Sequence, residues 1–284
     1  MSIPKVLVTR LAKQHPESAL LLKAFVPLLD AQNALSVELP EIVMPELDRA
    51  AFAQGRAWAP VLGDNLDLYF DAPFLKKAPK KIASAAARGM PEIAVQAKAL
   101  GAYLAKNPEK CRELGSLGMS ANTKKAAAWA KKNEQDPGVA GLFATHLAGA
   151  AASRVARAAE AIVLPPWEFS ACPICGGFPH GSALRGKEGK RSLQCSLCRH
   201  EWQFSRTTCP VCGQNNPADL PIMFLEHLKY ERGEGCSKCM HYLLGVDFRE
   251  LAGDTPLELY LLCMLPMDLL MQENGYSPGI EAIL

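Results

Sequence analysis

The sequence has no excess of either charge: 31 Lys/Arg against 29 Asp/Glu in 284 residues leave a net charge of +2. A chain so balanced carries no electrostatic mark of a nucleic-acid or acidic partner. It also lacks a long unbroken apolar run. The stretch YLLCMLPMDLLM at 260–271 is interrupted by Pro266 and Asp268 and falls well short of the ~20 residues a membrane helix needs, so membrane insertion is not expected. The start, MSIPKVLVTRLAKQHPESALL, has no apolar core followed by a small-residue cleavage site and no twin-arginine pair, and a cytoplasmic protein is expected. A catalytic set is missing as well, with no Gly-rich phosphate loop and no motif that places a nucleophile beside a base. No enzymatic activity is expected from these residues.

What is present is a composition that folds. At 49% hydrophobic and 21% charged residues the chain is that of an ordinary globular protein, long enough for two domains or for one domain with an appended module. Residues 1–165 read as a helical domain: from about 16 the sequence is rich in Ala, Leu and Lys, apolar residues recur at helical spacing and β-branched runs are few. Segments at 16–35, 45–57 and 91–107 each open on Pro-Glu, which suits a helix start, and 136–162 is the longest helical pattern. The lysines of FLKKAPKKIASAAARG (74–89) read as a solvated face beside a loop, with Pro79 expected to break the helix. His15, His146 and His180 have no partner spacing and are expected to be structural or surface groups.

At LPPWEF (164–169) the double proline ends the helical pattern and the cysteines begin. Eight of the ten cysteines form four Cys-x-x-Cys turns: Cys172 and Cys175, Cys195 and Cys198, Cys209 and Cys212, Cys236 and Cys239. In a reducing compartment such clustering points to metal rather than disulfides. Each turn presents two thiolates on one side of a tight loop, and two facing turns complete a tetrahedral site. The first and third turns are both Cys-Pro-x-Cys-Gly, while the second and fourth are both Cys-Ser-x-Cys-x-His, ending in His200 and His241. Two copies of one unit are implied. A unit that closed its own site before duplication pairs the first turn with the second and the third with the fourth.

Gly176 and Gly213 suit a positive φ after the second thiolate of their turns. Arg199 and Met240 stand at the matching places of the other two, where a looser geometry is expected. With four cysteines per site, His200 and His241 are expected to support the site or face solvent rather than ligate, and Trp202 to pack. The stretch GKEGKR (186–191) reads as the hairpin turn of the first unit. Cys111 and Cys263 stand apart, in helical segments, as buried small hydrophobes. Four sulfurs suit zinc or iron equally, and spacing does not choose.

The expected fold is therefore α+β, with an all-helical N-terminal domain (1–165), two tandem four-cysteine modules of rubredoxin-like or zinc-ribbon type (166–206 and 207–251) and a C-terminal helix in 252–284 for which Asp254 offers an N-cap. A nucleic-acid-binding ribbon is one reading of such modules, but 172–240 carries nine Lys/Arg against six Asp/Glu, a weak basic footprint. A free electron carrier is another, although a carrier has no need of so large a helical domain.

The order CPICGGFP, RSLQCSLCRHEW, RTTCPVCG and CSKCMHYLLGVD, behind an all-helical region, resembles the formate dehydrogenase accessory protein family, FdhE. The resemblance implies a cytoplasmic maturation protein with rubredoxin-like iron sites on the eight cysteines, zinc being the alternative. It also implies association with the catalytic subunit of formate dehydrogenase, which needs the protein to become active. Self-association is left open.

Overall fold

The computed structural model describes residues 3–44, 46–54, 69–119, 123–162, 164–251 and 255–279. Its helical part comprises α1 (Lys5–Gln14), α2 (Ala19–Glu38), α3 (Arg49–Ala53), α4 (Ala72–Gly89), α5 (Ala94–Lys106), α6 (Pro108–Met119), α7 (Thr123–Lys132) and α8 (Pro137–Ala159). Short 3₁₀ turns, Pro16–Ser18 and Pro91–Ile93, lead into α2 and α5, with proline at a position where its missing N–H costs no helix bond. The Asp71 and Asp136 carboxylates accept from the N–H groups of Phe74 and Val139, each at 2.9 Å, and so cap α4 and α8. Of the helix expected across 45–57, Arg49–Ala53 is described; positions 45 and 55–57 lie outside the described residues.

Pro79 does not break its helix. α4 runs without interruption from Ala72 to Gly89, and Pro79 is buried within it. An interior proline costs about 3 kcal/mol. Phe74, Leu75 and Ile82 on the same helix are buried to 4% exposure or less, and each such side chain returns about 1.5–3 kcal/mol. Lys76, Lys77 and Lys80 remain exposed on the opposite face, and Lys81 pairs with Glu38 at 2.6 Å. The lysine run is a solvated face, on a continuous helix.

α8 is the spine, packed against α2, α4, α6 and α7. Its approach to α6 depends on Gly118, where a Cβ would sit 2.0 Å from the Ala144 carbonyl oxygen. The stretch Pro16–Glu38 is long and apolar enough to cross a membrane. It is nevertheless a core element, placing Leu22, Leu28, Leu29 and Leu35 against its neighbours. Lys23 and Asp30 lie in the same stretch.

The strands form one sheet in the order β3-β2-β1-β6-β5-β4: β1 (Pro179–Arg185), β2 (Lys190–Cys195) and β3 (Glu201–Gln203) from the first Cys unit, β4 (Ile222–Leu225), β5 (Leu228–Cys236) and β6 (His241–Asp247) from the second. Each unit is an antiparallel hairpin followed by a third strand, so the two units repeat side by side. They are joined by parallel pairing of β1 with β6, from Gly181 against Leu244 to Leu184 against Asp247. The β1–β2 turn lies at 186–189, where Gly186 and Gly189 have φ of 66° and 61°.

The C-terminal segment is two helices, not one. α9 (Leu257–Cys263) ends at Met264 and α10 (Leu265–Glu273) restarts with Pro266 in its first turn, because proline has no N–H to continue the earlier helix. Asp254 lies outside the described residues. A two-residue strand, β7 (Ser277–Pro278), then pairs in parallel with the start of β6.

Two apolar cores result. One joins the helices around α8 to the first Cys unit through Ile174, Leu193, Trp202 and Phe204. The other packs α1 and Leu22 and Leu29 of α2 on Ala183 and Val246 of the sheet, together with α9 and α10.

Candidate metal centres

Each Cys-x-x-Cys turn has the same backbone. The N–H of the residue after the second Cys bonds to the carbonyl of the first: Gly176 to Cys172 at 2.9 Å, Arg199 to Cys195 at 3.2 Å, Gly213 to Cys209 at 2.9 Å and Met240 to Cys236 at 2.8 Å. All four of those residues have positive φ, at 71°, 64°, 76° and 57°. Arg199 and Met240 therefore hold the glycine geometry, contrary to the looser turn expected of them. The folding of both sides of the turn into a tight knuckle fixes φ whatever the side chain, and the non-glycine residues bear the resulting strain of about 1–2 kcal/mol.

The knuckles face each other in the order duplication implies. The Sγ atoms of Cys172, Cys175, Cys195 and Cys198 lie within 4.8 Å of one another, as do those of Cys209, Cys212, Cys236 and Cys239. Nearest approaches are Cys172 to Cys198 at 3.5 Å, Cys175 to Cys195 at 3.4 Å, Cys209 to Cys239 at 3.8 Å and Cys212 to Cys236 at 3.7 Å. A disulfide would hold two sulfurs at about 2.0 Å. A tetrahedral ion with metal–sulfur bonds of ~2.3 Å has sulfur–sulfur edges of about 3.8 Å, so both clusters fit such an ion with little adjustment. Backbone N–H groups of Ile174, Leu197 and Val211 point at Cys172, Cys195 and Cys209 from 3.4 Å. Such donors stabilise thiolate charge.

Electrostatics repeat with the geometry. Burial pushes the Cys195 thiol up, but hydrogen bonds from Cys172, Cys175 and Cys198 outweigh it and hold it well below the ordinary value. At the matching place in the second unit, burial of Cys236 is outweighed by the N–H groups of Cys239 and Lys238. Cys175 is raised by its hydrogen bonds to Cys172 and Cys195, Cys198 by burial, and Cys239 by burial to about 12. One thiolate in each cluster, Cys195 or Cys236, forms readily, whereas Cys175, Cys198, Cys209 and Cys239 resist. A bound dication is what allows four to ionise together.

The two clusters differ in surroundings. Cys172, Cys195 and Cys198 are buried against the helical core, and Tyr69 lies beside them, its hydroxyl raised by burial and by the nearby sulfurs. In the second cluster Cys212 is exposed, and Val211 and Met240 on its knuckles are each 41% exposed.

His200 and His241 join neither cluster. His200 stacks on Trp202 at 6.5 Å, and the His241 Nδ1 lies 2.7 Å from the Cys239 carbonyl oxygen. Trp202 is buried and donates to the Phe169 carbonyl at 3.1 Å, which makes it a packing residue. Cys111 and Cys263 are fully buried, with thiols pushed by burial to about 12. His15 and His146 are buried and His180 is half-buried, the last two bonded to Gln32 and Gln194 at 2.9 Å. Neither the place of Tyr69 beside the cysteines nor the bond of His146 to Gln32 could be found from spacing, since these partners lie about 100 residues or more apart in sequence.

Comparison with known proteins agrees with this geometry. The family model for the FdhE central domain matches residues 171–206, the first Cys unit. A protein FdhE homolog of Aquifex aeolicus (strain VF5) is 32% identical over 113 residues, which cover 39% of this chain and 40% of the relative. One from Stutzerimonas stutzeri (strain A1501) is 32% identical over 123 residues, with the same coverage. The matched part thus spans well under half the length of these relatives. The crystal structure of the FdhE protein from Pseudomonas aeruginosa superposes with a TM-score of 0.67 at 21% identity, covering 95% of this chain and 90% of that one, and so shares its fold. The chain is thus similar to FdhE proteins in its first Cys unit and over about two fifths of its length, and it shares the fold of the Pseudomonas aeruginosa protein.

Proposed function

We propose that this protein is a cytoplasmic accessory factor, not an enzyme, that binds the catalytic subunit of formate dehydrogenase during its maturation. The observation that carries the reading is the pair of preassembled four-sulfur clusters on a large helical body. Such a body offers docking surface that a bare electron carrier does not need. In this reading Cys172, Cys175, Cys195 and Cys198 hold one ion, and Cys209, Cys212, Cys236 and Cys239 a second. The ions are iron, with zinc the alternative; iron would supply one-electron chemistry and zinc only cross-linking.

The clusters divide the work by position. The first, set in the core between helices and sheet, locks those layers together. The second, with Cys212 open to solvent, is placed where a partner or an electron acceptor can reach it. Co-purification of the chain with the catalytic subunit of formate dehydrogenase, and loss of formate oxidation on deletion, test the client. Undiminished activity after deletion, with no co-purification, would sink the reading. Elemental analysis and thiolate-to-metal absorption of anaerobically purified protein decide iron against zinc.

A further inference from the structure

A cleft of about 550 Å³ lies between α2, α8, the knuckles of the first Cys unit and α9. That volume is typical of a binding pocket, and so is the lining: mostly apolar, with Phe25, Leu29, Leu197, Leu261 and Leu265 among its walls. Its polar groups are nearly all engaged. His146 is bonded to Gln32 and kept neutral, with a value lowered to about 3 by burial and by Arg199. His180 is bonded to Gln194, and burial and Arg199 lower it to about 4. Glu258 accepts from Gln194 at 3.3 Å, and Asp268 accepts from Tyr242 and, at 2.8 Å, from Gln272.

Arg199 is the exception. Its Nε is buried with no hydrogen-bond partner among the described residues, and it is held at a positive φ that an arginine adopts only under strain. A buried guanidinium N–H that lacks an acceptor among the described residues, in an apolar cleft, is matched by a carboxylate brought in from outside. The rim, moreover, already receives extended backbone. Ser277 and Gly279 donate to the carbonyls of Met240 and Tyr242 at 2.8 and 2.9 Å, laying the chain's own β7 along β6.

We infer that this cleft seats an extended, apolar segment of the client polypeptide, with an Asp or Glu of that segment on Arg199. The inference rests on the client reading above. Apolar side chains of the segment would fill the space between α2 and α9, and its backbone would follow the direction that β7 takes at the rim.

The test uses the full chain and purified formate dehydrogenase catalytic subunit. Thr145, on the α8 wall of the cleft, is replaced by the photo-crosslinker p-benzoylphenylalanine, and so, as a control, is Val95, exposed on α5 and outside the cleft. A crosslink from position 145 and none from 95 is expected. Thr145→Trp, which fills the cleft, and Arg199→Gln should each weaken association about tenfold while bound metal stays at the wild-type level. A crosslink from 95 but not 145, or undiminished association of Thr145→Trp, overturns the inference and leaves the client reading standing. Unchanged affinity of Arg199→Gln removes the carboxylate from it. Failure of the wild-type chain to associate at all ends both.

Discussion

The His15 Nε2 lies 3.3 Å from the Glu231 Oε1, and both side chains are wholly shut from solvent. His15 precedes α2 and Glu231 stands on β5, so the contact ties the N-terminal helices to the second Cys unit. Burial favours the uncharged form of each partner. It raises the Glu231 carboxyl to about 8, with Glu17 adding to the effect. It lowers His15, against the attraction of Glu17 and with help from His227.

These shifts give a pH dependence with a definite sign. Glu231 keeps its proton in the folded state above the ordinary carboxyl value, so its contribution is complete below about 4.5 and is lost as pH rises toward 8. His15 acts oppositely, and its effect is finished once pH exceeds the ordinary 6.5. Between pH 6.5 and 8 only the loss from Glu231 remains. Urea denaturation should show wild-type stability falling relative to Glu231→Gln across that window, by at most about 1.4 kcal/mol per pH unit. Parallel curves for the two proteins would contradict the assignment.

The unequal burial of the two clusters predicts unequal consequences of breaking them. Cys195→Ser disturbs a cluster within the main core and should lower the thermal midpoint by about 10 °C or more, on the order of several kcal/mol. Cys212→Ser removes an exposed sulfur and should leave the fold cooperative while halving the bound metal. Calorimetry paired with elemental analysis reads both effects. Equal losses of stability would mean that the second cluster is as structural as the first.

The knuckle backbone can be tested apart from its sulfurs. Gly213 has φ of 76° and open space around a would-be Cβ, so Gly213→Ala should cost about 1 kcal/mol from conformation alone. Met240→Gly makes the reverse change at φ of 57° and should gain up to about 1 kcal/mol, less the extra entropy that glycine loses on folding. Chemical denaturation that gave both variants the same sign would refute the shared geometry.

Gly118 provides a test of helix packing. An interior Gly→Ala change ordinarily favours a helix by about 1 kcal/mol. Here the added methyl would meet the Ala144 carbonyl oxygen at 2.0 Å and the Ala148 Cβ at 2.9 Å, so α6 and α8 must separate. Gly118→Ala should destabilise by about 1–3 kcal/mol, seen as a lower denaturation midpoint.

Much of this was legible one residue at a time. The knuckles, their pairing and the helix starts depend on short-range patterns: two thiols across one turn, a proline or aspartate where N–H groups would go unpaired. Pro79 shows where such reasoning fails, since the local cost of an interior proline was overruled by the apolar stripe of Phe74, Leu75 and Ile82 finding a core. At Pro266, by contrast, α9 gives way to a separate α10.

The order of residues by itself determined that there are two four-cysteine units and which cysteines belong to each, because a knuckle is closed by atoms a few bonds apart. Only the tertiary structure decided that the two units merge into one sheet through β1 and β6. It alone set the first cluster in the core and the second at the surface, joined His15 to Glu231 and left the Arg199 Nε at a cleft with no hydrogen-bond partner among the described residues. Those relations depend on which faces must leave water together, and that is settled by packing the whole chain rather than by any stretch of it.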